Sequence, residues 1–281
     1  MRGRDVYVIH SLYGDATESV NDKICRLLFF IGAIRESGAA RVTAVIPYLA
    51  YARKDRQTKP HDPVTTRYMA MLLEGMGTDA VIVLDVHNIV AFQNAFRCQT
   101  EHLDTRRLFA EHMRERVGGA PVVVVSPDPG GVKRAQLFQV MFEKLIGRAV
   151  GTAFMEKRRS AGVVTGNLLV GDMKDTVVLV IDDLISTGGT MLRAAEACLE
   201  QGARSVYALA AHGLFVGEAE KAICDPRLSI TIITDIVLPF RLEPDIIEQQ
   251  IEIVSVAPLL GEAIRCCHEG GSIIELLEGP S

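Results

Sequence analysis

The residues with the clearest chemistry lie in one segment of the second half of the chain, VVLVIDDLISTGGT at 177–190. Its aliphatic start predicts a buried strand, and the acids Asp182 and Asp183 follow. The next residues are small or carry hydroxyls and precede a run of good helix formers: Ser186, Thr187, Gly188, Gly189 and Thr190. Glycines let the backbone approach a ligand closely, and the first amides of a helix bind anions. The loop therefore predicts a cradle for a phosphomonoester.

The adjacent acids Asp182 and Asp183 limit further which chemical groups of a ligand can bind here. Two adjacent carboxylates would repel a phosphate placed directly on them, so Asp182 and Asp183 are expected to face hydroxyl groups or a metal-bound group. The vicinal hydroxyls of a sugar suit that role. A plainer interpretation is a tight turn with a helix N-cap, because Ser and Thr are strong caps. The segment has neither the Walker A pattern nor the Gly-x-Gly-x-x-Gly fingerprint.

This segment resembles the PRPP-binding loop shared by type I phosphoribosyltransferases and ribose-phosphate pyrophosphokinases (PRPP synthetases). Four further segments resemble motifs of the second family: PYLAYARKDRQTKPHDPVTTR at 47–67, LDVHN at 84–88, SPDPGGVKRA at 126–135 and FMEKRRSAG at 154–162. The similarity runs from residue 3 nearly to the C-terminus. A single-domain phosphoribosyltransferase would need only the second half.

The resemblance implies a role for each motif. It implies that Lys157 and Arg159 are catalytic cations on a mobile loop. It implies that Mg²⁺ is held by His87 and by Asp128. The residues implied to bind ATP are Arg53, Lys54, Asp55 and His87, and those implied to bind ribose 5-phosphate are Asp182, Asp183, Ser186, Thr187, Gly188, Gly189 and Thr190.

The implied reaction transfers the β,γ-diphosphoryl group of ATP to the C1 hydroxyl of ribose 5-phosphate and gives PRPP and AMP. Two alternatives remain open. One is a non-catalytic or regulatory paralogue that keeps the phosphate cradle. The other is a phosphoribosyltransferase that consumes PRPP, which would leave the segments at 47–67 and 154–162 without a function.

Each motif also has a plainer interpretation when taken alone. His87 could be a core histidine at the end of a strand. The run at 157–159 could be a solvated charged stretch, and the run at 53–56 a surface loop. Asp128 could lie in a simple turn.

The chain departs from the family pattern at three places. The stretch RGRDVYVIHS at 2–11 corresponds to a strand well inside the family's first domain, so the Phe-x-Asp/Asn-Gly-Glu element is expected to be missing and the nucleotide site incomplete. Lys54 stands where the family usually has Gln, and Ser186 where many members have Asp. Because a neighbouring subunit completes the family's ATP site, the resemblance also implies a homo-oligomer.

The elements that must position these residues follow an alternating pattern. Strand-like runs are expected at 6–9, 42–46, 80–84, 122–125, 177–181, 206–210 and 230–233, with helices at about 19–37, 64–76, 103–117, 131–147, 189–201 and 258–268. This predicts an α/β fold with mostly parallel sheets flanked by helices. Strand-to-loop patterns at 42–56 and 80–88 recur in the same order at 122–134 and 177–190. We therefore expect two tandem type I phosphoribosyltransferase-like domains, 1–108 and 109–281.

Composition limits the other possibilities. The 281 residues carry 30 Lys and Arg against 35 Asp and Glu, and no basic run exceeds three residues, which argues against nucleic acid as a partner. Six cysteines without a Cys-x-x-Cys pair favour a reducing compartment. No signal peptide is apparent, and the apolar runs are far shorter than the roughly 18 residues that span a bilayer. A cytoplasmic protein without a membrane partner is expected.

Overall fold

The protein is described by a computed structural model over residues 1–160 and 163–279, with side chains described outside 156–168 and 170. The strands are β1 (Asp5–Ile9), β2 (Arg41–Ile46), β3 (Ala80–Leu84), β4 (Gln99–Leu103), β5 (Val122–Ser126), β6 (Gly151–Ser160), β7 (Val163–Val170), β8 (Val177–Ile185), β9 (Ser205–Gly213), β10 (Ile230–Thr234) and β11 (Ile251–Val254). The helices are α1 (Val20–Glu36), α2 (Thr65–Gly75), α3 (Ile89–Ala95), α4 (Arg106–Val117), α5 (Val132–Ile146), α6 (Gly189–Glu200), α7 (Ala219–Ile223), α8 (Pro244–Gln250), α9 (Ala257–Glu269) and α10 (Ile273–Glu278).

These elements form two compact units. The first unit combines Met1–Asp104 with the residues from Ala257 onward, and the second is Thr105–Val256. The expected domains of 1–108 and 109–281 differ from this division in the C-terminal segment, which returns to the first unit. There the ring of His268 on α9 meets that of Tyr7 on β1 edge-on at 6.2 Å. The helix α9 thus contacts the edge strand β1.

The first unit contains a parallel four-stranded sheet in the order β1-β2-β3-β4. Its core joins α1 and α2 to the middle strands, with buried Ile31 and Leu73 from the helices and Val81 and Val83 from β3. Ser19 starts α1 with a capping box, because its hydroxyl accepts a hydrogen bond from the Asp22 amide and its own backbone amide donates to the Asp22 carboxylate. β2 and β3 both end in loops at the same edge of this sheet.

The second unit contains a seven-stranded sheet in the order β11-β10-β9-β8-β5-β6-β7. All neighbouring strands are parallel except β6 and β7. Apolar side chains of β8 are buried on both faces: Val178 and Val180 pack in the layer of α6, while Leu179 and Ile181 pack with Phe138 of α5. This burial explains why β8 has a continuous apolar sequence rather than an alternating one.

The predicted fold class is confirmed, since each unit is a mostly parallel sheet flanked by helices. Every expected strand and helix is present. The elements that the pattern did not predict are β4, β6, β7, β11, α3, α7, α8 and α10. No helix in the described part of the chain has both the length and the apolar character needed to cross a bilayer.

Candidate functional site: a glycine turn beside two carboxylates

The loop between β8 and α6 requires glycine at its centre. Gly188 has φ +74°, and a Cβ there would lie only 2.7 Å from the Cβ of Ala222. Gly188 is also the N-cap of α6, and no side chain caps the first amides of that helix. Gly189, at the first helical position, is only partly buried. The loop therefore presents backbone donors of the kind that bind a phosphate.

The two acids lie within β8, directly before this loop. Nη1 of Arg134 on α5 lies 3.0 Å from Oδ1 of Asp182 and 3.3 Å from Oδ1 of Asp183. The Asp183 amide also donates to Oδ1 of Asp182 at 2.9 Å. Burial and the neighbouring Asp183 carboxylate raise the pKa of Asp182 well above its ordinary value, while Arg134 acts in the opposite direction. The pair is a partly buried acceptor site beside the Arg134 guanidinium.

The strand β5 pairs with β8, and the turn that follows β5 contains Asp128. One carboxylate oxygen of Asp128, Oδ1, accepts a hydrogen bond from the Gly131 amide at 2.9 Å, and the Ser126 hydroxyl donates to the Asp128 carbonyl at 2.6 Å. No other described residue donates to the second carboxylate oxygen of Asp128. A half-exposed carboxylate held in this way fits a hard divalent cation. Within the described ranges, no cluster of three or more metal-ligating side chains occurs.

In the first unit, the loop after β2 is fastened to the start of α2. The buried hydroxyl of Thr66 lies within hydrogen-bond distance of the Ala52 and Lys54 carbonyls, at 3.2 and 3.3 Å. Arg53, which the resemblance assigns to ATP, is exposed. Lys54 instead donates to the Asp62 carboxylate at 2.7 Å, which lowers the pKa of that acid. Lys54 thus forms an ion pair inside the loop that follows β2.

The loops after β2 and β3 meet through Asp55. The side-chain amide of Asn88 donates to the Asp55 carboxylate at 2.7 Å, and its oxygen caps α3. His87, the residue before Asn88, is exposed. Asp85, two residues earlier, is buried with φ +44°, so the chain turns sharply where β3 ends. Asp55 and His87 therefore belong to one connected edge of the first sheet.

Lys157 and Arg159 lie in β6, and their side chains are outside the described residues. The expected mobile loop at 154–162 is a strand as far as Ser160, and this strand pairs antiparallel with β7. Residues 161 and 162 lie outside the described ranges.

Three residues of these sites were not assigned a function from the sequence: Arg134, Asn88 and Asp62. Arg134 lies inside the quoted motif SPDPGGVKRA, and the adjacency of β5 and β8 brings it to the acids. That adjacency was the missing information. Asn88 could have been found from its position as a strong cap residue after a strand.

A mostly parallel α/β unit, in which strand-end carboxylates lead into a glycine turn and a helix N-terminus, defines the phosphoribosyltransferase-like class of protein. Two family models match the chain: the N-terminal domain of ribose phosphate pyrophosphokinase over residues 1–77 and the phosphoribosyl synthetase-associated domain over residues 155–278. The chain belongs to the ribose-phosphate pyrophosphokinase family, which confirms the family inferred from the motifs.

Curated relatives and a solved structure support this membership. The chain is 38% identical to the ribose-phosphate pyrophosphokinase of Caldanaerobacter subterraneus, over 98% of this chain and 83% of the relative. It is 34% identical to that of Aquifex aeolicus, over 98% and 84%. The phosphoribosylpyrophosphate synthetase of Mycobacterium smegmatis superposes with a TM-score of 0.84 and 31% identity, over 96% of this chain and 84% of that structure.

Proposed function

We propose that the protein is a ribose-phosphate diphosphokinase, which transfers the β,γ-diphosphoryl group of ATP to ribose 5-phosphate and yields PRPP and AMP. The observation that carries this proposal is that Asp182 and Asp183 in β8 are followed directly by the Gly188 turn and the N-terminus of α6. Carboxylates suit vicinal hydroxyls, and helix amides suit a phosphate. A sugar phosphate combines both groups in one small molecule.

The amides and hydroxyls from Ser186 to Thr190 would hold the 5-phosphate, and Asp182 and Asp183 would accept hydrogen bonds from the ribose hydroxyls. In the first unit, Arg53, Asp55 and His87 would contact ATP. The exposure of Arg53 and His87 and the hydrogen bond that fixes Asp55 support this assignment. Lys54, also assigned to ATP, would influence ATP binding indirectly, because its ion pair with Asp62 holds the loop after β2.

Magnesium is the divalent cation that we propose, because it binds to one or two carboxylates together with substrate phosphates. Asp128 would hold a cation beside the ribose. In the first unit, His87 would contact the water shell of the cation that accompanies the triphosphate. The bound cation would neutralise charge on the phosphate oxygens.

In the transfer itself, the C1 hydroxyl oxygen bonds to the β-phosphorus and releases its proton to solvent, while the bond from that phosphorus to the oxygen it shares with the α-phosphorus breaks and AMP leaves with the electron pair. The protein has little covalent work to do, so positioning and electrostatic stabilisation must supply most of the acceleration. Lys157 and Arg159 would clamp the transferring group, and the planar guanidinium of Arg159 suits two phosphate oxygens at once.

We further propose a homo-oligomer, supported by an apolar surface on the first unit. A Cβ at Gly32 of α1 would meet the Met76 side chain that follows α2, so the two helices approach each other at this point. Five large apolar side chains on these helices are 48% to 73% exposed: Phe29, Phe30, Tyr68, Met71 and Leu72. A surface of this kind is typical of an interface, and a second copy of the chain is the partner that the family resemblance implies. A Phe29→Glu variant that sediments like the parent would contradict this assignment.

The function is tested by incubating the purified protein with ATP, Mg²⁺ and ribose 5-phosphate and quantifying AMP and PRPP. Equimolar formation of both products is expected. Binding of ribose 5-phosphate without turnover would instead indicate a regulatory paralogue. Release of pyrophosphate from PRPP and a nucleobase would indicate a phosphoribosyltransferase.

A further inference from the structure

We propose that Arg134 is a positioning residue of the ribose site, which holds the Asp182 and Asp183 carboxylates side by side so that they can accept hydrogen bonds from ribose hydroxyls. The inference rests on the proposed function, because it concerns how that site binds its sugar.

The contact arises from the neighbouring strands β5 and β8. After β5, a short turn at Pro129–Gly131 leads into α5, and Arg134 is in the first turn of that helix. From there one nitrogen, Nη1, lies 3.0 Å from Oδ1 of Asp182 and 3.3 Å from Oδ1 of Asp183. One guanidinium therefore reaches two carboxylates that are consecutive in the chain.

The placement of Arg134 is unfavourable for the helix itself. The N-terminus of a helix carries partial positive charge, which disfavours a cation in the first turn. The first turn of α5 contains no acidic residue that would offset this effect. Asp182 and Asp183 on β8 supply the opposite charge that offsets this effect for Arg134.

Burial increases the importance of the contact. The side chain of Arg134 is 19% exposed, and those of Asp182 and Asp183 are 18% and 5% exposed. Desolvation and repulsion by the Asp183 carboxylate raise the pKa of Asp182, while Arg134 acts in the opposite direction and favours its ionised form. The charged groups that act most on Asp182 are Asp183 on its own strand and Arg134 on α5. On β9, the titratable His212 lies opposite Leu184 in the register.

The protonation state of the pair decides what it can bind. An ionised carboxylate only accepts hydrogen bonds, whereas a protonated one also carries a donor. An ionised pair therefore offers ribose hydroxyls more and stronger acceptor sites than a protonated one. Removal of Arg134 would extend proton binding to higher pH and would release the fixed orientation of the two acids.

The test compares the parent with Arg134→Met and Arg134→Lys. For Arg134→Met we expect the KM for ribose 5-phosphate to rise about tenfold, with the KM for ATP little changed. The acidic limb of kcat/KM for ribose 5-phosphate should move to higher pH by about one unit, because an opposite charge is lost. Arg134→Lys restores the charge without the fork and should recover part of the affinity. Arg107→Met, which removes an exposed ion pair of α4 with Glu111, is the matched control and should behave like the parent.

A second measurement does not depend on turnover. Carbon-13 NMR of the aspartate carboxyl groups in the substrate-free protein should show the pair titrating at higher pH in Arg134→Met than in the parent. If the parent binds ribose 5-phosphate but the carboxyl titration in Arg134→Met is the same as in the parent, the role of Arg134 is overturned while the proposed function stands. A uniform loss of stability and of kcat, without a pH shift or rescue by lysine, would also overturn it. A parent that neither binds nor converts ribose 5-phosphate would overturn the proposed function itself, and the ribose role of Arg134 with it.

Discussion

The side-chain amide of Asn88 donates a hydrogen bond to the Asp55 carboxylate at 2.7 Å and so joins the loops that follow β2 and β3. The oxygen of the same amide accepts hydrogen bonds from the Val90 and Ala91 amides at 3.1 and 3.2 Å, which starts α3. One side chain thus fixes both a helix and the orientation of an acid in the proposed nucleotide site.

Asn88→Ala should therefore have two effects. Loss of the cap should lower the free energy of unfolding by about 1 kcal/mol. Loss of the hydrogen bond to Asp55 should raise the KM for ATP several-fold. Chemical denaturation and initial rates at varied ATP measure the two effects separately. In the control Asn88→Ser, which keeps a cap but is too short to reach Asp55, only the KM should change; equal stability losses in both variants would argue against the cap.

The ion pair between Lys54 and Asp62 predicts how Lys54 influences ATP binding. Lys54 forms its ion pair with Asp62 inside the same loop, so either substitution breaks the same contact. Lys54→Gln and Asp62→Asn should therefore raise the KM for ATP by similar factors, about twofold, as expected for a partly exposed pair. The double variant should be no worse than either single one. A much larger effect of Lys54→Gln alone would identify Lys54 as a direct ATP ligand.

For the proposed catalytic cation, Lys157→Ala should lower kcat roughly 100-fold or more while ribose 5-phosphate affinity changes little, as expected for an interaction made mainly in the transition state. Steady-state kinetics and calorimetry provide the two numbers. Arg158→Ala removes the adjacent cation of β6, which has no assigned role, and serves as the control. Unchanged kcat in Lys157→Ala would remove this lysine from the mechanism.

Gly188→Ala should damage the phosphate loop. The new Cβ would be held at positive φ and would lie 2.7 Å from the Ala222 Cβ, so the turn must shift. We expect a loss of about 1–3 kcal/mol in unfolding free energy and weaker ribose 5-phosphate binding. At Gly189, a Cβ would meet only side-chain atoms, Nη1 of Arg193 at 3.4 Å and Oγ1 of Thr187 at 3.9 Å, so Gly189→Ala is the steric control for stability. Comparable melting temperatures for the two variants would contradict the steric argument.

The raised pKa of Asp182 predicts how stability depends on pH. Above the ordinary carboxyl pKa of 3.8, the folded protein retains a proton that the unfolded chain has released. The free energy of unfolding of the substrate-free protein should therefore fall as pH rises through the raised pKa. Denaturant titrations at several pH values measure this slope. Asp182→Asn should flatten it, and an equally steep slope in that variant would assign the effect to other groups.

Local sequence predicted the strands and the phosphate loop well because their signals are local. The apolar run at 177–181 and the glycines at 188–189 need no knowledge of distant residues. The short edge strand β11, at Ile251–Val254, is partly exposed and too weakly patterned for that approach. β6 and β7 contain charged and glycine residues that obscure the alternation typical of a hairpin.

For the site, local sequence predicted the residue types but not the contacts between distant residues. Alternation along β8 places Asp182 and Asp183 on opposite faces, so nothing local indicates that both reach Arg134. That contact depends on strand order, which pairs β5 with β8 across more than fifty residues of sequence. Lys54 was assigned to ATP by resemblance, and its partner Asp62 could be found only from the folded loop.

The return of α9 and α10 to the first unit affects how the chain folds during synthesis. The second unit is one continuous stretch, Thr105–Val256, and it can complete its core as soon as that stretch has left the ribosome. The first unit receives its last two helices only with the residues from Ala257 onward, which are translated after the whole second unit, although its main core comprises residues between Val8 and Phe96. A chain stalled before Ala257 would therefore keep that core but lack the ring contact of His268 with Tyr7 on β1.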